Sequence, residues 1–207
     1  VSIDISLRSN GYLAVAVGND WFHDSGATGC VDMMVAYLDS ACGCWISLLE
    51  QRIIPRDDVS STIETCHFAG SNLELDDGAL IIGIPYTTKN NYQQGSAAIY
   101  RGGDATGSGM YIWTLEEHLF GPDGGNSAYA GWDVAINDTA GFAVLGCPGD
   151  DYTGDNAGVA YLYSKSGSNW NYASTLIAVE PLPGDAAGLA VAVDGTSLLV
   201  GAPGYSN

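Results

Sequence analysis

The chain has 207 residues, of which 46% are hydrophobic and 28 are glycine. It is rich enough in apolar residues to exclude disorder, lacks the collagen period, and has no apolar run long enough to cross a membrane as a helix. Lys+Arg total 6 against 24 Asp+Glu, a net charge of −18, which repels phosphate backbones and anionic lipid and argues against nucleic acid and anionic membrane surfaces as partners.

In chain order, residues 3–7 and 13–18 are two strand-sized apolar runs around Asn10-Gly11. Asn-Gly and Asp-Gly tolerate positive φ, so this pattern predicts a β-hairpin. A second pair of runs follows at 29–37 and 45–49. The same order returns with Asp77-Gly78 between 73–75 and 80–85, then 95–100 and 111–115. It returns again with Asn137-Asp138 between 134–136 and 143–148, then 157–163 and 170–176. A last hairpin, 189–193 and 198–203 around Asp194-Gly195, stops halfway through the pattern. No segment has a sustained 3.6-residue period, and only 115–119 reads as a short helical turn.

The second run of each unit is Leu13-Ala-Val-Ala-Val-Gly18, Leu80-Ile-Ile-Gly-Ile-Pro85, Ala143-Val-Leu-Gly-Cys-Pro148 and Leu198-Leu-Val-Gly-Ala-Pro203. Aligned on Ala16, Gly83, Gly146 and Gly201, the spacings are 67, 63 and 55 residues, a period suited to a four-stranded propeller blade. These runs are apolar at nearly every position, as strands buried on both faces are. Val15, Ile82, Leu145 and Val200 are expected inside. The reading is an all-β fold, a β-propeller of four-stranded antiparallel blades with about three and a half blades present. The repeats are 1–67, 68–128, 129–186 and an incomplete 187–207.

Five cysteines stand at 30, 42, 44, 66 and 147. The spacing is poor for zinc, and disulfides fit an oxidising compartment better. Cys42 and Cys44 are too close in sequence to bond each other comfortably. Two disulfides are therefore expected among Cys30, Cys42, Cys44 and Cys66, with Cys147 a buried thiol acting as a small hydrophobe.

The motifs Tyr129-Ala-Gly-Trp, Val144-Leu-Gly-Cys-Pro-Gly149 and Gly158-Val-Ala-Tyr-Leu-Tyr163, with Phe68-Ala-Gly70 and Leu199-Val-Gly-Ala-Pro-Gly204 in neighbouring units, resemble the FG-GAP repeat of integrin α-subunit propellers. The resemblance implies a secreted or cell-surface propeller that recognises protein or glycan ligands through its loops. Such repeats often hold calcium in a D-x-D-x-D-G turn. The turns here lack that set, so no cofactor is expected, and Asp150, Asp151 and Asp155 are the densest oxygen cluster left as a calcium candidate. A half-finished ring implies that apolar faces are covered by the remainder of the same polypeptide or by neighbouring subunits.

His23, His67 and His118 occupy unrelated repeat positions, and no nucleophile elbow, zinc helix, phosphate loop or dinucleotide fingerprint occurs. The expectation is a non-enzymatic extracellular interaction, adhesion or scaffold module. The alternatives are a filament subunit or a propeller attached to an enzyme. Asn137-Asp-Thr139 is an N-glycosylation sequon at a predicted hairpin tip.

Overall fold

The structure is a computed structural model and describes residues 2–7, 13–19, 30–39, 41–55, 63–67, 69–89, 92–104, 111–122 and 127–204. Asn10-Gly11, His23 and Phe68, and the side chains of Val15, Cys66 and His67, lie outside the described residues.

The first sheet is β1 (Ser2–Leu7), β2 (Leu13–Asn19), β3 (Cys30–Asp39) and β4 (Cys44–Ile53), paired in that order. Next come β5 (Ile63–His67), β6 (Leu73–Asp76), β7 (Ala79–Ile84), β8 (Tyr86–Lys89), β9 (Tyr92–Gln93), β10 (Ser96–Asp104) and β11 (Tyr111–Phe120). Of these, β6-β7-β10-β11 form the second four-stranded sheet and β5-β8-β9 a small side sheet. The third sheet is β12 (Val134–Asn137), β13 (Phe142–Cys147), β14 (Val159–Ser166) and β15 (Asn169–Leu176). A two-stranded sheet, β16 (Ala190–Asp194) with β17 (Ser197–Gly201), follows. All named strand pairs are antiparallel. The first strands contact one another in series, β1 with β6, β6 with β12 and β12 with β16, so the sheets are blades side by side around an axis. The arrangement is that of a partial β-propeller.

Strand alternation builds the core. In the second blade, Ala79, Ile81, Ala97 and Ile99 face the third blade and join Val134, Ile136, Leu145, Val159 and Tyr161. The intervening Leu80, Ile82, Ile84, Ala98 and Tyr100 face the first blade and meet Ala14, Ala16, Val31 and Met33. Period-two side chains thus give each middle strand two apolar faces, one per neighbour. All six residues of β7 are buried.

A bulge recurs in the pairing of the third and fourth strands of each complete blade, at Met33/Met34, Ile99/Tyr100 and Leu162/Tyr163. The extra residue falls at Glu50, Glu116 and Ala173 in turn.

Three sequence expectations change here. Residues 115–119 are strand, within β11, because Leu119 is buried in the seam and Leu115 packs against the opposite core. The first unit aligns on Gly18 and not Ala16. Gly18 pairs with Val31 as Gly83 pairs with Ala97 and Gly146 with Ala160. A slip of two residues keeps every side chain on its face, so the hydrophobic pattern cannot detect it. Third, Ile82 and Leu145 are fully buried, but Val200, on the face of β17 turned toward the third blade, is 37% exposed, because β17 has no further strand of its own blade beside it among the described residues.

Candidate functional site

Each blade alternates its connections. The β6–β7 and β12–β13 hairpins lie at one end, while the β7–β10 connection and the segments entering β6 and β12 lie at the other. The second end carries the glycine motifs, and the structure shows why they are glycine. A Cβ on Gly83 would sit 2.3 Å from the Gly131 carbonyl oxygen, one on Gly131 would sit 2.1 Å from that of Ser96, and one on Gly146 would sit 1.9 Å from that of Gly188. The Gly-x-Pro strand end of one blade and the x-Ala-Gly entry of the next touch backbone to backbone. Parallel bridges Gly95–Ala130 and Gly158–Ala187 continue the same contact. Gly131 and Gly188 also have φ of +81° and +88°, which costs other residues strain.

Between the second and third blades this end opens into a cleft of about 210 Å³ lined by Ser71, Asn72, Pro85, Tyr86 and Trp132. Tyr86, Tyr129 and Trp132 form an aromatic cluster with ring centroids 5.4, 6.1 and 6.5 Å apart. The tilted and edge-on packing fixes the rings. Asn72 Nδ2 donates to the Trp132 carbonyl and Gly83 N–H donates to the Asn72 carbonyl at 2.9 Å, so one asparagine ties both walls to the seam.

The axial side is held by acids. β6, β12 and β16 are sheet edges, and their inward N–H groups need acceptors. Asp4 Oδ2 accepts from Leu75 N–H at 2.6 Å, Glu74 Oε2 from Ile136 N–H at 2.6 Å, Asp76 Oδ2 from Asp138 N–H at 2.7 Å and Asp133 Oδ2 from Val191 N–H at 2.7 Å. Each blade thus caps the next. Burial, opposed by the Ile136 N–H bond and reinforced by Asp4, Asp76 and Asp133, pushes Glu74 up to about 7. Burial raises Asp133 as well.

At the hairpin end, the seam is closed by charge. Arg101 grips Asp138 (2.6 and 2.6 Å) and Glu116 (2.8 and 3.0 Å), and Lys165 Nζ reaches Asp138 at 2.8 Å and Glu116 at 3.3 Å. Burial opposes ionisation of Asp138, but the Arg101 and Lys165 bonds outweigh it and hold its carboxyl below the ordinary value. Glu116 is the bulge residue of β11, so the recurrent irregularity places one carboxylate of this cluster.

The sequence candidates are distributed as follows. Asp150 is buried, accepting from the Tyr161 hydroxyl at 2.6 Å and Tyr152 N–H at 2.8 Å. Asp151 and Asp155 are exposed and bond Asn156, through its N–H at 2.7 Å and its Nδ2 at 3.0 Å. The three carboxylates are spent on different partners, and no metal-sized group of three or more His, Cys, Asp or Glu occurs among the described residues. Asn137 uses its Oδ1 to accept from Ala140 N–H at 2.8 Å in the hairpin turn.

The disulfide scheme needs correcting. Cys42 and Cys44 bond each other, and Cys30 is a buried free thiol. A turn over 41–43, with Gly43 at φ +63°, brings the two Cα atoms to 5.2 Å, inside the range that a disulfide needs. The short spacing that argues against the bond in an extended chain is what a tight turn allows. Cys147 is also a buried thiol, and burial raises it well above its ordinary value.

One constellation escaped the sequence reading. His118 Nε2 lies 2.9 Å from Ser96 Oγ, itself 2.6 Å from Thr87 Oγ1, which donates to the Ile84 carbonyl at 2.9 Å. Thr87 has one proton and it is committed, so Ser96 donates to Thr87 and His118 donates to Ser96. That direction is the reverse of a nucleophile and its base, and both hydroxyl side chains are fully buried. The trio fills the seam and is not arranged for catalysis.

Residues 113–163, from β11 through β14, match the family described as FG-GAP repeat. Over that span the chain is similar to an FG-GAP repeat. The matched span holds the Tyr129–Trp132 entry and the buried Tyr161–Asp150 bond at the second-to-third-blade seam, and the Gly146 strand end that meets Gly188 of the following hairpin. No curated protein matches the chain. No helix among the described residues is long and apolar enough to cross a membrane.

Proposed function

We propose that this protein is a non-enzymatic extracellular interaction module of the FG-GAP propeller type, binding a neutral glycan at the cleft between its second and third blades. The observation that carries this is the Tyr86–Trp132 cleft. Two locked aromatic faces at a blade seam, with Ser71 and Asn72 at the edge, offer π surface for sugar C–H groups and polar atoms for hydroxyls. The volume of about 210 Å³ is below that of a drug-sized pocket and suits one ring. A net charge of −18 disfavours sulfated or uronate-rich chains.

The test is titration with neutral gluco-, manno- and galacto-oligosaccharides, read by tryptophan fluorescence and calorimetry. Wild type should bind one series, and Trp132→Ala should weaken it at least about tenfold while still unfolding cooperatively from an all-β state. Binding absent from every neutral series, or undiminished in Trp132→Ala, overturns the reading; a ligand that proves to be a protein side chain seated on Trp132 does so as well.

A second reading is supported by exposed apolar residues at the two ends of the blade stack. Ile3 and Ile5 are 63% and 55% exposed, and Leu199 is 73% exposed. Such faces are covered in a working assembly, either by further blades of the same polypeptide or by a neighbouring subunit, as in a filament.

A further inference from the structure

We infer that the Cys42–Cys44 disulfide is a thiol–disulfide exchange site, taking exposed thiols of small molecules or proteins as its substrates. Three observations carry this. The bond closes a loop with a sequence separation of 2, at the tip of a hairpin that backbone pairing already closes, Asp39 with Cys44 and Leu38 with Trp45. It therefore staples no distant parts of the fold, and loop-closure stabilisation is smallest for the shortest loops. Residues 41–44 are all exposed, so a thiolate can approach either sulfur, and exposed disulfides are the labile and regulatory ones. By contrast, the thiols of Cys30 and Cys147 are buried and burial raises their pKa values, which leaves them inert. Gly43 has nothing within 4 Å of where a Cβ would stand, so the tip stands clear of neighbouring atoms on that side.

The step balances as follows. A partner thiolate attacks Sγ of one cysteine and forms a mixed disulfide. The Cys42–Cys44 bond breaks, and the other sulfur leaves as a thiolate that takes a proton from water. A second thiol, on the same partner or a second small molecule, then attacks the mixed disulfide. It releases the partner's disulfide and leaves Cys42 and Cys44 as two thiols, with two electrons transferred. Oxidised glutathione re-forms the bond by the reverse sequence.

The folded 207-residue protein is equilibrated in glutathione buffers of increasing reduced-to-oxidised ratio, alkylated without unfolding, and its peptides quantified by mass spectrometry. Cys42 and Cys44 should become labelled together within the glutathione range, with Cys30 and Cys147 unlabelled, and the melting temperature should be unchanged on reduction. Cys42→Ser and Cys44→Ser proteins should each trap glutathione as a mixed disulfide. To separate the two thiol sources, reduced unfolded ribonuclease is offered in place of glutathione. Faster oxidation of ribonuclease than by the Cys42→Ser/Cys44→Ser protein assigns a protein substrate, and trapping by glutathione alone assigns a small-molecule one. A pair that stays oxidised in fully reduced glutathione overturns the inference. So does a double variant that melts several degrees lower, because the bond would then be structural.

Discussion

The seam between the second and third blades and the outer face of the fourth hairpin start from the same sequence grammar. Both have an aliphatic second strand, an Asx-rich turn and an x-Ala-Gly entry. At the seam, Leu145, Ile81 and Ile136 are fully or almost fully buried; on the outer face Leu199 is 73% exposed. The difference teaches that a blade strand has two apolar faces because it has two neighbours, and that burial belongs to the pair of blades. The side of β16 and β17 that meets the third blade is closed by Gly146 against Gly188 and by Asp133 on Val191 N–H; the other side meets nothing described.

The comparison breaks most sharply at the seam glycines. Gly146→Val should cost about 4 kcal/mol or more, because a Cβ 1.9 Å from the Gly188 carbonyl oxygen forces the third and fourth blades apart. Gly195→Ala, in the β16–β17 turn at φ +56° with open space around it, should cost only about 1 kcal/mol. Denaturant unfolding of both proteins checks this, and equal losses would refute the backbone-contact account.

Next in size is the paired leucine test. Leu145→Ala should cost about 3 kcal/mol through lost burial and a residual cavity. Leu199→Ser should change stability by less than about 0.5 kcal/mol while lowering self-association in sedimentation velocity. A Leu199→Ser protein that loses as much stability as Leu145→Ala would show that the outer face is covered.

The smallest effect sharpens the axial side. Glu74 moves from an ordinary 4.5 to about 7 in the fold, so between those values the folded state holds more of this proton than the unfolded chain. Stability from this group is therefore lost as pH rises through that window, and the penalty is full above about pH 7. Glu74→Gln keeps an acceptor for Ile136 N–H and removes the charge. It should stabilise by about 1 kcal/mol at pH 8, after screening at a partly exposed site, and by nothing measurable near pH 4.5. A gain of equal size at both pH values would assign the effect to packing instead of charge.

How much of this was legible beforehand follows from the range of each interaction. Hairpins, the four-strand unit and the buried second strand depend on turn chemistry and two-residue alternation, both local, and were readable residue by residue. So was the glycine motif as a pattern, but its reason was not: Gly83 and Gly131 are 48 residues apart and meet only when blades stack. The register of the first unit was misread because slips of two are silent in alternation. The Cys42–Cys44 bond was missed because an i, i+2 pair is out of reach in extended chain and within reach only in the left-handed turn at Gly43. Asp150, read as a loop oxygen, is buried under Tyr161 because the turn folds it inward.

By itself the sequence determined the element type, the order of strands within a blade and the repeat, since all three rest on contacts a few residues apart. Only the tertiary structure decided which acids cap which amides, where Glu116 and Asp138 meet Arg101 and Lys165, and that Tyr86 and Trp132 converge on one cleft. Those partners lie on different blades, and their distances are set by the angle between sheets, which no local pattern encodes.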